Sequence, residues 1–200
     1  MSKITNFLDK ASLAYYEGHP IISDEQFDSL AKSVGYSKVG AKQHENVEKH
    51  FQRMYSLQKY YEETDSFPFE GYKGEVSITP KVDGAAISIL YLNRVLTRVL
   101  TRVDGIEGRL VTDKFINTKL IPHTLPSSFP NVIQITGEIA APLHIENARN
   151  YAAGALNLGS IEEFKSRAVT FFAYGVFPYL TESFSKDLSL LAKAGFNTVL

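Results

Sequence analysis

Two hundred residues suit one medium domain, or a small domain fused to a larger one. A hydrophobic fraction of 44%, an aromatic fraction of 12% and a net charge of −1 describe a globular chain whose bulk properties advertise neither nucleic acid nor membrane. The absence of cysteine excludes disulfides and thiolate zinc sites and fits a reducing, cytoplasmic setting. No apolar run is long enough to span a bilayer, and Met1 to Asn6 leads into no apolar leader segment. His19, His44, His50, His123 and His144 stand at no ligand-like spacing, so no metal-ligating residues are assigned.

Ile4, Phe7, Leu8, Ala11 and Tyr15 repeat with helical period and predict an opening amphipathic helix that ends at Gly18-His19-Pro20. Ser23 followed three residues later by Gln26 is a capping box, and it starts a second helix that turns Phe27, Leu30, Ala31 and Val34 inward. Such a short hairpin builds little core alone and must dock on something or close over a ligand. The polar stretch from Gly35 to Lys49 reads as an irregular connection. From Met54 onward the chain turns β-rich. Strands are expected over Glu75 to Lys81, Ala86 to Tyr91, Val95 to Arg102, Val132 to Ile139 and Ala168 to Phe177, with a turn at Asn93-Arg94. Helices are expected over Thr112 to Leu120, Ile161 to Ser166 and Ser185 to Ala194, the last stopped by Gly195. Strands and helices mix without strict alternation, which predicts an α+β fold with a largely antiparallel sheet. Arg94, Arg98, Arg102, Arg109, Lys114 and Lys119 outnumber the nearby acids, as either a phosphate-facing strip or a solvated face of strands.

Lys81-Val82-Asp83-Gly84 reads as a strand end followed by a tight turn. A lysine amine in water is protonated and inert, with a pKa of roughly 10.4. Burial or a neighbouring cation frees the lone pair and makes a nucleophile. Asp83 adds an acceptor, and Gly84 lets the backbone approach a ligand with no Cβ in the way. Taken alone, the four residues equally describe a surface lysine in an ordinary Asp-Gly turn.

The order of the surrounding stretches resembles the N-terminal half of the bacterial-type NAD-dependent DNA ligases. Tyr15-Tyr16, Pro20, Ser23-Asp24 and Phe27-Asp28 look like that family's N-terminal helical module. His50 followed by Met54-Tyr55-Ser56-Leu57 is similar to its "M-x-S-L" segment. Lys81 to Gly84 looks like nucleotidyltransferase motif I, and Thr101 to Gly108 resembles T-R-G-D-G-x-x-G. Gly137-Glu138 looks like motif III, Asn147 to Gly154 is close to N-P-R-N-A-A-A-G, and Phe172 to Gly175 resembles motif IIIa. Seven such matches in order are hard to reach by accident.

The resemblance implies a short helical hairpin, residues 1–38, gripping the nicotinamide mononucleotide half of NAD. It is followed by a nucleotidyltransferase core of mostly antiparallel sheets with flanking helices, residues 39–200. Lys81 would attack NAD and carry AMP to the 5′-phosphate of nicked duplex DNA with magnesium, as in replication and repair. Asp83, Arg102 and Glu138 would complete the catalytic set. Tyr15, Tyr16, Asp24, Phe27 and Asp28 would hold the leaving half. Ser56, Leu57, Thr79, Gly84, Arg149 and Tyr174 would bind the adenylate half, with Tyr174 offering an aromatic face to adenine.

Several positions depart from the family pattern. The acid usual two before the lysine is Thr79, and the helical module's Tyr-His and Tyr-Asp are Tyr15-Tyr16 and Phe27-Asp28. The glutamate after T-R-G-D-G-x-x-G is Arg109. The arginine a few residues past Gly154 is Asn157. Each lost polar contact costs about 1–3 kcal/mol. The family's motif IV acid, motif V lysine and OB-fold would come from a second ligase chain or domain, as in a split enzyme of a compact viral genome. The alternative is a catalytically degenerate module of the same fold that binds a nucleotide or DNA.

Overall fold

The computed structural model of the protein describes residues 3–16, 21–36, 46–61 and 65–200, with the side chains of Lys3, Leu13, Tyr15, Tyr16 and Asp24 outside that description. The Gly18-His19-Pro20 stop and most of the Gly35 to Lys49 connection lie outside the described residues. Two helices come first, α1 (Lys3–Tyr16) and α2 (Asp24–Ser33). The capping box at the head of α2 is formed as expected: Gln26 N donates to Ser23 Oγ at 3.2 Å, and Ser23 N to Gln26 Oε1 at 3.0 Å. Leu8 and Ala11 of α1 are buried, and α1 lies against α2.

The core begins with β1 (Val47–Lys49), β2 (Gly84–Leu92), β3 (Val95–Thr101), β4 (Glu107–Arg109) and α3 (Thr112–Ile116). It continues through β5 (Val132–Ala140), α4 (Ala148–Asn157), α5 (Ile161–Ser166), β6 (Thr170–Phe177), α6 (Phe184–Lys193) and β7 (Asn197–Thr198). Five strands form one sheet in the order β3-β2-β5-β6-β7, antiparallel except for the parallel β6–β7 pair. β1 and β4 form a separate antiparallel ribbon. This is the helical hairpin followed by an α+β, mostly antiparallel core that the sequence predicts.

Strand alternation divides the sheet into two working faces. Ile87, Ile89 and Tyr91 of β2, Ile133, Ile135 and Ile139 of β5, and Phe171 and Ala173 of β6 point to the core face and are buried. Phe115 of α3, Ala152, Ala155 and Leu156 of α4, Phe164 of α5, and Leu188 and Leu191 of α6 join them in one apolar cluster. Each large side chain fully buried there contributes about 1.5–3 kcal/mol. The β2–β3 hairpin turns on Asn93 and Arg94, both at positive φ (50° and 66°), which matches the right-handed twist of its strands. Gly195 at φ +100° closes α6, and Phe196 N donates back to Leu191 O at 3.1 Å.

The structure departs from the expected elements in four places. Glu75 to Lys81 is not a strand: it has no ladder partner, and Ile78 is 92% exposed. β-branched residues favour a strand only when a neighbour supplies hydrogen bonds and a surface to cover. The helix expected over Thr112 to Leu120 stops at Ile116, where Asn117 Nδ2 and Thr118 Oγ1 donate to carbonyls of the last turn. Val47–Lys49, read as irregular, pairs with β4. The Asn147 to Gly154 motif, over which no helix range is predicted from the sequence, opens α4.

Residues 55–61 and 65–78 carry an exposed set of aromatic side chains. Tyr60, Phe67, Phe69 and Tyr72 touch ring to ring in sequence, with centroids 5.8–6.3 Å apart. All of them remain exposed, together with Tyr55 and Leu57. Among the described residues no helix is long and apolar enough to cross a membrane.

Candidate active site

The face of the sheet opposite the core carries the polar residues of the same strands. In the antiparallel register Glu138 of β5 stands between Ala86 of β2 and Phe172 of β6, and Thr136 stands between Ser88 and Gly175. A strap, residues 50–54, runs over this face. His50, itself buried, places Nδ1 2.7 Å from the Ser88 hydroxyl and Nε2 3.3 Å from the Arg102 carbonyl. Gln52 and Gln134 exchange hydrogen bonds: Gln52 N donates to Gln134 Oε1 at 2.9 Å, and Gln134 Nε2 to Gln52 O at 2.8 Å. Met54 N donates to Gly105 O at 2.8 Å. Gly105, at φ +81°, passes so close that a Cβ there would lie 2.1 Å from Met54 O. The loop after Arg102 is tied in turn by Asp104, whose Oδ1 accepts from Ile106 N and Glu107 N.

These ties bring Arg102 to Glu138. Burial raises the Glu138 carboxyl above its ordinary range, and the positive charges of Arg149, Lys81 and Arg102 act against that rise, with Asp83 adding to it. Four sequence-predicted residues from three separate segments therefore bear on one carboxylate. Tyr174 of β6 joins them: burial first, and then the charge of the Glu138 carboxylate, push its phenol pKa up. Lys81 and Asp83 are exposed on the irregular stretch that enters β2. Gly84 makes the crossing possible, since a Cβ there would fall 2.0 Å from the Ile139 carbonyl. Arg102 Nη1 also donates to Ser56 Oγ at 3.4 Å, which brings the "M-x-S-L" segment into the site. Thr79 is half-buried two residues upstream of Lys81, and Leu57 points outward, 77% exposed. Beyond Tyr174 the face opens into a cleft of about 600 Å³ bounded by Met54, Tyr55, Thr136, Phe177 and Asp187.

The residues expected to hold the leaving half sit on the helical module. Phe27 packs edge-on against Tyr36, with ring centroids 6.1 Å apart, and Asp28 is exposed. Tyr15, Tyr16 and Asp24 lie on α1 and α2, their side chains outside the described set. α1 touches α4, the helix that carries Arg149. The expected basic strip is dispersed. Arg98 pairs with Glu48, Arg94 bonds to Asn131, Arg109 is tied to α4, and Lys114 is buried. Sequence reasoning missed the roles of His50 and Gln52. Their only sequence signal was their place just ahead of the "M-x-S-L" segment.

His50 supplies a pH prediction. Burial lowers its pKa from the ordinary 6.5, so the fold holds the ring neutral. Below 6.5 the unfolded state binds the proton first, and stability is lost as pH falls through the lower, folded pKa. Urea unfolding between pH 8 and 5 should show this acid loss, and His50→Asn should flatten it. The substitution should also lower stability by about 1–3 kcal/mol at pH 8, because the buried Ser88 hydroxyl loses its partner. An unchanged pH slope in the variant would mean that other groups carry the acid limb.

A mostly antiparallel sheet carrying a lysine ahead of its inner β2 strand, a carboxylate on β5 and two arginines whose charge acts on that carboxylate defines a nucleotidyltransferase-type core. The sequence profile of the NAD-dependent DNA ligase adenylation domain matches residues 42–145, half of the chain, and the chain belongs to that family. Relatives extend the likeness over the helices on either side. A DNA ligase of Wigglesworthia glossinidia brevipalpis is 29% identical over 88% of this chain. A DNA ligase of Campylobacter concisus is 29% identical over 87%, and one of Flavobacterium psychrophilum 30% over 88%. The matched regions make up 38%, 32% and 33% of those relatives, so the chain spans about a third of their length.

Proposed function

We propose that this chain carries out the adenylylation step of an NAD-dependent DNA ligase, with Lys81 as the nucleophile. The Lys81 nitrogen attacks the α-phosphorus of the AMP half of NAD. A phosphorus–nitrogen bond forms, the pyrophosphate bond breaks, and nicotinamide mononucleotide leaves with the bridging oxygen while the amine proton passes to solvent. Arg102 and Arg149 meet the charge that builds on the phosphoryl oxygens. Glu138 accepts from the ribose hydroxyls, and Tyr174 stacks on adenine beside the open cleft. What supports this reading is that the charges of Lys81, Arg102 and Arg149, from three separate segments, all act on the buried Glu138 carboxyl across the face that also carries Tyr174.

Residues 1–38 would act as the grip for the leaving half and residues 39–200 as the adenylation domain. Among the described residues no three His, Asp or Glu side chains form a ready-made metal site. Asp83 and Glu138 face one another's charge beside Lys81, and that donor set fits magnesium, which is usually held by one or two carboxylates and the substrate's own phosphates. Magnesium bound there would neutralise phosphate charge. Nicked duplex DNA would be the acceptor of the AMP, and further segments, joined to this chain or separate, would supply sealing. The exposed aromatic side chains of Tyr55, Tyr60, Phe67, Phe69 and Tyr72 are the surface such a segment would cover.

The departures at Tyr16, Thr79, Arg109 and Asn157 favour a second reading, a module that binds nucleotide or DNA and has lost the chemistry. Intact mass after incubation with NAD or ATP plus magnesium separates the two. Gain of one AMP from NAD, and none from ATP, is the expected outcome. No gain from either donor would leave only the binding module.

A further inference from the structure

Arg149 lies in the first turn of α4, and α4 is poorly made to hold it. The helix has ten residues, and isolated helices that short are marginal. Asn147 makes no side-chain cap, the first turn contains no acid, and the last turn contains no base. Arg149 moreover places a cation at the positive end of the helix dipole, where charge of that sign is unfavourable.

The missing cations come from elsewhere in the chain. Arg109, at the end of β4, donates from Nη2 to Leu156 O at 2.8 Å and also to Asn157 Oδ1. Lys114, in α3, donates from Nζ to Leu158 O. Its side chain is 4% exposed and sits 5.7 Å over the Phe164 ring. An apolar residue would fill that buried position at less cost, so a lysine there is held for the carbonyl it receives. Both cations belong to one short stretch that is pinned along β3. Arg109 N donates to Thr101 Oγ1 at 3.2 Å, Val111 N to Val99 O at 2.9 Å, and Val99 N to Thr112 Oγ1 at 2.8 Å. Arg102 follows directly after β3. The stretch from Val99 to Lys114 thus presents Arg102 to the site at one end and grips the far end of the Arg149 helix at the other.

We propose that Arg109 and Lys114 form a two-cation clamp on the C-terminus of α4 and act as positioning residues that hold Arg149 toward Glu138. Arg149 lies roughly 10 Å up the helix from the clamped carbonyls, one rigid rise away. The two departures at 109 and 157, separated by 48 positions in the chain, are then one exchange. The guanidinium that grips the end of α4 is carried by β4 instead of by the helix. The assignment of a rate effect rests on the adenylylation reading above, whereas the clamp itself does not.

The test uses the full chain and six variants: Arg109→Glu, Asn157→Arg, their combination, Arg109→Gln, Arg149→Lys, and Arg149→Lys with Arg109→Gln. Single-turnover AMP uptake from NAD should fall about tenfold in Arg109→Glu, since small displacements of a phosphate-binding group cost that order of rate. Uptake should return to within about threefold of the parent when Asn157→Arg bridges the same gap with an ion pair, the guanidinium now on α4 and the carboxylate on β4, in place of the parent's hydrogen bonds. Arg109→Gln should cost nothing further in the Arg149→Lys background, because its effect passes through Arg149. Full additivity there, or no rescue by the reversal, would overturn the proposal. The side-chain Nε–Hε resonance of Arg149, followed by NMR without any nucleotide, gives a readout free of the chemistry. It should shift in Arg109→Gln and Arg109→Glu and move back in the reversed pair, and an unmoved resonance overturns the clamp. Should the parent protein take up no AMP, the functional reading fails and the resonance still decides the clamp.

Discussion

Lys81→Ala is expected to take up no AMP from NAD and magnesium, while still folding with an unchanged thermal midpoint. The expected effect is complete because a lasting phosphorus–nitrogen bond needs an amine: the carboxylates of Asp83 and Glu138 would give only a labile acyl phosphate, and a guanidinium is a poor nucleophile. Folding is expected to be unaffected because Lys81 is exposed on an irregular stretch and anchors no element of the sheet. Gly84→Ala makes an instructive partner to it. A Cβ at that position would meet backbone at the Ile139 carbonyl, so this variant should lose stability as well as activity. The check is intact mass against time together with a melting curve for each variant. An alanine variant at Lys81 that still gains one AMP would move the nucleophile elsewhere and remove the centre of the proposed site.

Nick sealing by this chain alone is expected to be undetectable, or at least a hundredfold slower than in the presence of the remaining ligase segments. Gripping duplex DNA draws on many phosphate contacts. Much of the basic potential in the middle of this chain is committed internally. Arg98 is paired with Glu48, Arg109 and Lys114 receive the end of α4, and Arg94 is bonded to Asn131. The formal charge of −1 adds no general attraction. By resemblance, sealing also uses a further lysine on the transferring phosphate, and losing one such group costs about a hundredfold or more. Gel-resolved sealing of a nicked duplex, with this chain alone and then with the complementing segment added, measures the difference. Equal rates in the two reactions would show that the described core already holds all that sealing needs.

Much of the site was legible in the residues because its chemistry is local in sequence. Lys81-Val82-Asp83-Gly84 and the stretch from Thr101 to Gly108 each bring a functional side chain with its own glycine, and a glycine that must pass a carbonyl at close range leaves its mark directly in the sequence. The capping box at Ser23 and the turn at Asn93-Arg94 were equally readable, since a cap and a hairpin turn are decided within four residues. The strand over Val132 to Ile139 was readable from its β-branched residues, while which of them face the core became clear only from its pairing with β2 and β6.

What tertiary structure alone decided are the relations between distant segments. Val76 and Ile78 have strand-forming side chains, yet no ladder reaches them, because pairing depends on a neighbour that propensity does not contain. The six cations between Arg94 and Lys119 formed one strip on paper. In the fold, β3 and α3 turn them in different directions, and Lys114 ends in the interior against Phe164. The bond from buried His50, at the head of the strap, to Ser88, the grip of Arg109 on Leu156 and Asn157, and the charges of Lys81, Arg102 and Arg149 that act on Glu138 all join residues tens of positions apart. Local sequence determined which charged and aromatic groups this protein could offer, and sheet register with helix packing determined which of them share one face, because charge acts through distance in space and the chain order does not measure that distance.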